Sequence, residues 1–91
     1  PYLYVSDPGH GWVGVHLSEL RELGIARKIT EYSYIDRSHP DPLVWLEEDC
    51  DLTTFARAKW PDDTSAEFTK ACKHVDVEHT PIRRLPRYSA R

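Results

Sequence analysis

Leu43, Val44, Trp45 and Leu46 run without a break into Glu47, Glu48, Asp49, Cys50 and Asp51. Four large apolar residues behind Pro40 and Pro42 make too short a run for an ordinary helix and read as a strand buried on both faces. The carboxylates that follow suit the positive N-terminal end of a helix, with Asp49 or Asp51 as its cap. A strand that passes straight into a helix must carry that helix folded back on its own sheet, so this run is expected as the central strand. Alternation points Leu43 and Trp45 to one side and Val44 and Leu46 to the other.

The rest of the chain supplies partners for that strand. Residues 2–5 and 12–16 are β-prone and are separated by Ser6, Asp7, Pro8, Gly9, His10 and Gly11, almost all turn formers, so a hairpin is expected. Its alternation groups Leu3 and Val5 with Val13 and Val15, and Tyr2 and Tyr4 with Trp12 and His16. Ser18 caps a short helix ending at Leu23, where Gly24 and Ile25 have the form of a Schellman stop. Glu31 to Ile35 alternates as a third strand. Leu52, Phe55, Ala56 and Trp60 recur at helical spacing up to Pro61. Phe68, Ala71, Cys72 and Val75 repeat the pattern after capping residues Asp62, Asp63, Thr64 and Ser65, and residues 75–79 alternate as a charged edge strand. The expected fold is a single compact α+β domain over residues 1–80, a small antiparallel sheet of four or five strands with two or three short helices on one face. Residues 81–91 are expected as a basic extended tail.

At 91 residues the chain holds one modest core. No apolar run approaches the ~20 residues of a membrane span, and no basic segment precedes an apolar one in the manner of a secretory leader. A cytoplasmic protein without membrane contact is expected, with Cys50 and Cys72 as reduced, mostly buried thiols. The net charge is −3, but residues 80–91 hold four arginines and no acid, which leaves −7 on residues 1–79. An acidic body does not provide the broad basic face that phosphate-backbone binding needs.

If Trp45 joins the tyrosine side, one sheet face is aromatic and carries Tyr2, Tyr4, Trp12, Tyr32, Tyr34 and Trp45. Exposed Tyr and Trp rimmed by acids match the anchors that dominate protein interfaces, and Tyr2, Tyr4, His10, Trp12, Tyr32, Tyr34, Glu47 and Glu48 are the expected partner-binding residues. The competing structural reading is a second small core, covered by the tail or by a helix. His10, between glycines, reads as an accessible base or ligand, or more plainly as a solvated turn residue. The acidic cluster suits a divalent cation, but consecutive strand residues point to opposite faces, so Glu47 and Glu48 cannot share one ion without a bulge. Cys50 with His10 or His16 is a conceivable thiol–imidazole pair. No catalytic residue, metal or cofactor is assigned on this basis, and a non-enzymatic protein is expected. The alternative is a nucleic-acid-associated protein using Arg83, Arg84, Arg87 and Arg91, and the third reading is a small metal-dependent hydrolase using His10 and the acids.

Three segments together resemble small phage-, prophage- and plasmid-encoded proteins: Asp7 to Trp12, Leu23 to Ile29 running on to Tyr32, Ser33 and Tyr34, and Leu46 to Asp51. The likeness covers most of residues 2–60, and Pro81, Ile82, Arg83 and Arg84 are similar to a short basic signature near the C-terminus of the same proteins. The resemblance implies origin rather than chemistry. It points to a mobile-element accessory protein that binds a host or phage protein and interferes with a host system, anti-CRISPR action included.

Overall fold

Loop length sets which face each residue of the first hairpin occupies. In the computed structural model, which describes residues 1–62 and 64–90, strand β1 (Tyr2–Ser6) and strand β2 (Gly11–His16) are joined by four residues. Ser6 pairs with Gly11, Tyr4 with Val13 and Leu3 with Gly14. Side chains directly opposite one another in a ladder share a face. Tyr2 and Tyr4 therefore lie with Val13 and Val15, and Leu3 and Val5 lie with Trp12 and Gly14. This corrects the expected grouping: alternation within each strand is right, but the relative phase is set by an even-numbered loop. Asp7 holds that loop, its Oδ1 accepting the backbone N–H groups of Gly9 and His10, each at 2.9 Å.

Helix α1 (Leu17–Glu22) follows β2 directly. Ser18 is not its cap. His16 occupies that position without a side-chain bond, and the Ser18 N–H and hydroxyl donate instead to Asp41. The expected stop is present: Gly24 has φ of 72°, its N–H reaches the Arg21 carbonyl at 3.0 Å, and the Ile25 N–H reaches that of Leu20 at 2.9 Å. Strand β3 is only Tyr34–Asp36, and Tyr32 lies in the preceding turn. Strand β4 (Leu43–Glu47) is the apolar run of the sequence, and helix α2 (Asp51–Lys59) begins four residues after it ends. Helix α3 (Thr64–Ala71) is shorter than the apolar spacing suggested, because Cys72 opens strand β5 (Cys72–Asp76).

The five strands are ordered β3-β4-β2-β1-β5, so β2 is central and β4 stands beside it. The sheet is mixed, since β5 runs parallel to β1 along an edge. The α+β class with helices on one face holds. That face is the main core, where Val13, Val15, Ile35, Val44 and Leu46 meet Leu17 and Leu20 of α1 and Leu52 and Phe55 of α2. Tyr2 joins it, edge-on to Phe55 at 5.3 Å and to Trp60 at 6.1 Å.

The opposite face carries a smaller core of Val5, Trp12 and Ile82, with Tyr34, Trp45 and Val77 packed against it. Ile82 comes from the C-terminal segment, which is a strap rather than a free tail. A 3₁₀ turn at Pro81–Arg84 is capped by Thr80, and beyond it the Ile35 N–H donates to the Pro86 carbonyl at 3.0 Å and the Tyr88 N–H to that of Ser33 at 2.8 Å. The Tyr88 hydroxyl donates to the Ala26 carbonyl. Of the residues expected on the aromatic face, Trp12 is therefore covered as part of a second small core. Among the described residues no helix is long and apolar enough to cross a membrane. Asp63 and Arg91, expected as a cap and a tail cation, lie outside the described residues.

Candidate functional site

The end of β4 is held by a buried carboxylate. Asp51, 1% exposed, does not cap α2; it turns inward and accepts the Thr30 N–H at 3.0 and 3.1 Å, the Thr30 hydroxyl at 2.8 Å and the Ser33 hydroxyl. Ser33 in turn accepts the Glu47 N–H at 3.0 Å. This network ties the turn before β3 to the last residue of β4. On the other side, the Glu48 N–H donates to the Gly11 carbonyl at 3.0 Å, so the turn after β4 sits against the tip of the first hairpin.

The consequence is a cleft of about 450 Å³ lined by His10, Trp12, Tyr32, Tyr34, Glu47, Asp49, Cys50, Arg83 and Arg87. Glu47 faces it because it pairs with Trp12 across the β2–β4 ladder. Its carboxylate accepts the Asp49 N–H, which brings the two acids together. His10 reaches them from the hairpin tip, and one ligand atom of each residue lies within 4.8 Å of the others. The wall is aromatic: Trp12 and Tyr34 meet at 6.3 Å and His10 and Trp12 at 6.1 Å. Trp12 is 2% exposed, and its indole N–H has no hydrogen-bond partner among the described residues.

The strap supplies the cations. Arg83 lies 5.0 Å over the Trp12 ring and is held by Asp7 through two bonds of 2.9 and 3.0 Å. Arg87 lies 5.2 Å over the Tyr34 ring and donates to the Glu31 carbonyl at 3.3 Å. Guanidinium groups stack on aromatic faces and keep their donors in plane for a second partner. No ion pair reaches Glu47, Asp49 or Arg87 among the described residues.

Electrostatics follow the geometry. Burial raises the Glu47 pKa above its ordinary value, and the charges of Asp49 and Asp51 add to this. Asp7 is held well below the usual carboxylate range by the Arg83 guanidinium and by the N–H groups of His10 and Gly9. Desolvation, followed by the charges of Asp51, Glu47 and Asp49, pushes the Cys50 thiol up. A thiol in an acidic setting is a poor nucleophile, which weighs against a Cys50–His10 catalytic pair. His16 does not line the cleft; it lies beside Asp41.

Of the residues expected to bind a partner, His10, Trp12, Tyr32, Tyr34 and Glu47 converge on the cleft. Tyr2, Tyr4 and Glu48 do not: the Tyr2 hydroxyl donates to Glu19 and that of Tyr4 donates to Glu48 at 2.7 Å, both toward the helical side set by the hairpin phase. Arg83 and Arg87 line the cleft, Arg84 does not, and Arg91 lies outside the described residues. Asp49 and Cys50, read from sequence only as part of the acidic cluster and as a thiol partner for His10, also line the cleft, and the i, i+2 spacing of Glu47 and Asp49 is a same-side signal where Glu47 and Glu48 is not. Cys50 is exposed and Cys72 half-buried, both free, so the expectation of mostly buried thiols is corrected. Comparison with protein-family models, with curated proteins and with solved structures finds no match for this chain.

Proposed function

We propose that this protein is a non-catalytic accessory protein of a phage or another mobile element, acting in the cytoplasm by seating part of a host or phage protein in the cleft. Interference with a host defence system, as anti-CRISPR proteins achieve, is the outcome this reading anticipates. The observation that carries it is the joining of aromatic walls, a carboxylate pair and a guanidinium that has no salt-bridge partner among the described residues in one recess, with Tyr32 61% exposed at its edge. Pockets of this size orient a guest through a few placed polar groups while aromatic surface supplies the binding energy. The raised Cys50 thiol supports binding over covalent chemistry. The Arg83–Asp7 pair counts against the arginines acting as a phosphate-binding set, because one of their charges is already neutralised.

The test is capture of partners from host lysate by wild type and by a Tyr32→Ala, Arg87→Glu double variant. Both side chains are exposed, so the variant is expected to keep the wild-type circular dichroism spectrum and melting curve. A protein held by wild type and lost by the folded variant supports the reading. Identical captures would overturn it, and recovery only of nucleic acid, with affinity falling steeply as salt rises, would move the function to the arginines.

A further inference from the structure

We propose that His10, Glu47 and Asp49 bind one divalent transition-metal cation at the acidic end of the cleft. The hairpin tip offers one imidazole nitrogen, and the end of β4 with the turn after it offers two carboxylate oxygens from residues two apart, all within 4.8 Å of one another. Tetrahedral ligand atoms that share an ion at about 2.1 Å stand about 3.4 Å apart. The closure required is at most about 1.4 Å, within reach of a side-chain rotation of His10, which is exposed and makes no side-chain hydrogen bond among the described residues.

The surrounding charge favours a cation. Glu47 is 9% exposed, stands beside Asp49, and has buried Asp51 behind it, with no basic side chain paired to either cleft acid among the described residues. Of the two arginines that line the cleft, Arg83 is paired with Asp7 and Arg87 is stacked on Tyr34. A buried carboxylate with an exposed one beside it favours a counter-charge, and a metal ion provides more of it than any side chain. The second mark of an occupant is Trp12, which lines the cleft beside His10 and whose buried indole N–H has no acceptor among the described residues. An oxygen donor completing the ion's coordination shell supplies such an acceptor.

The donor set selects the metal. Imidazole suits zinc, iron, nickel and copper, whereas carboxylate alone suits calcium and magnesium. One nitrogen with two carboxylates fits Zn²⁺ or Mn²⁺, and three protein ligands leave at least one position open toward the cleft. The partner reading gains a feature from this site, an open coordination position for a carboxylate or phosphate group, but the site does not depend on that reading.

The experiment is titration of the chelator-stripped chain with Zn²⁺, Mn²⁺, Ca²⁺ and Mg²⁺, each alone, by calorimetry and by thermal melting. One Zn²⁺ or Mn²⁺ per chain is expected, with a rise in melting temperature and much weaker response to Ca²⁺ and Mg²⁺. His10→Ala, at an exposed hairpin tip, should melt as wild type when stripped of metal and bind at least tenfold more weakly. Asp49→Asn should do the same. His74→Ala, which removes the imidazole 3.2 Å from Asp76, and His16→Ala, which lies outside the cleft, should leave affinity unchanged. Absence of saturable binding by wild type, equal binding by His10→Ala, or a loss that follows His74 or His16 instead would overturn the proposal. Because the probe is the metal alone, the site can fail while partner capture stands, and the reverse.

Discussion

Glu47 is where the cleft and the stability of the chain meet. Its pKa is raised by burial and by neighbouring acids, so the folded protein holds that proton more tightly than the unfolded chain does. The resulting stability is present at low pH and is lost as pH rises through the folded value. Glu47→Gln keeps an oxygen for the Asp49 N–H and removes the charge; without metal it should melt above wild type at pH 7, with the gain vanishing below the ordinary glutamate value of 4.5. Asp7 has the opposite sign. Its carboxyl is depressed, so its contribution is present above the ordinary value of 3.8 and disappears as pH falls below that value. Asp7→Asn should therefore melt below wild type at pH 7, and the two curves should converge in acid. Asp51 carries more than either, because buried Ser33 and half-buried Thr30 both donate to it. Asp51→Ala leaves those donors without an acceptor and should cost about 3 kcal/mol or more in urea unfolding.

At the scale of elements, the first hairpin and the strap do most to place the site. Gly11 is buried at the start of β2, where an added Cβ would stand 2.6 Å from the Tyr4 hydroxyl and 2.9 Å from Glu48 Oε2. Neither neighbour can yield without breaking the Tyr4–Glu48 bond, so Gly11→Ala should cost about 1–3 kcal/mol, read from denaturant midpoints at constant m-value. It should also displace the turn after β4, since the Glu48 N–H binds the Gly11 carbonyl. The strap depends on Ile82. It is 5% exposed beneath Val5 and Trp12, and Ile82→Ala should cost about 2–4 kcal/mol by leaving a cavity there. A loosened strap withdraws Arg83 and Arg87 from the aromatic wall, so tryptophan fluorescence of this variant should change before global unfolding.

For the molecule as a whole, two cores of unequal size share one sheet. The larger is closed by α1, α2 and α3, and the smaller by ten or so residues at the C-terminal end. The cleft opens where the strap, the hairpin tip and the turn after β4 meet, so segments far apart in the sequence contribute to it. The elements were legible from local sequence: the four-residue apolar run at Leu43–Leu46, the turn formers from Ser6 to Gly11, and Gly24 before Ile25 each have one low-energy reading, because backbone sterics and alternation act over a few residues. The clustering of aromatics and acids near His10 and Glu47 was legible in outline for the same reason. What local pattern could not settle was anything that depends on phase or pairing. Tyr2 and Tyr4 went to the helical face because four loop residues separate the strands, and side-chain facing reverses with each residue of register. The strap looked like a tail because its prolines and arginines carry no periodic signal; only the covering of Val5 and Trp12 gives Ile82 a place. Sequence by itself determined the elements, the α+β class and the charge separation, all set by neighbours along the chain. Tertiary structure alone decided which side chains share the cleft, because the hairpin tip, the turn after β4 and the strap become neighbours only when the sheet register is complete.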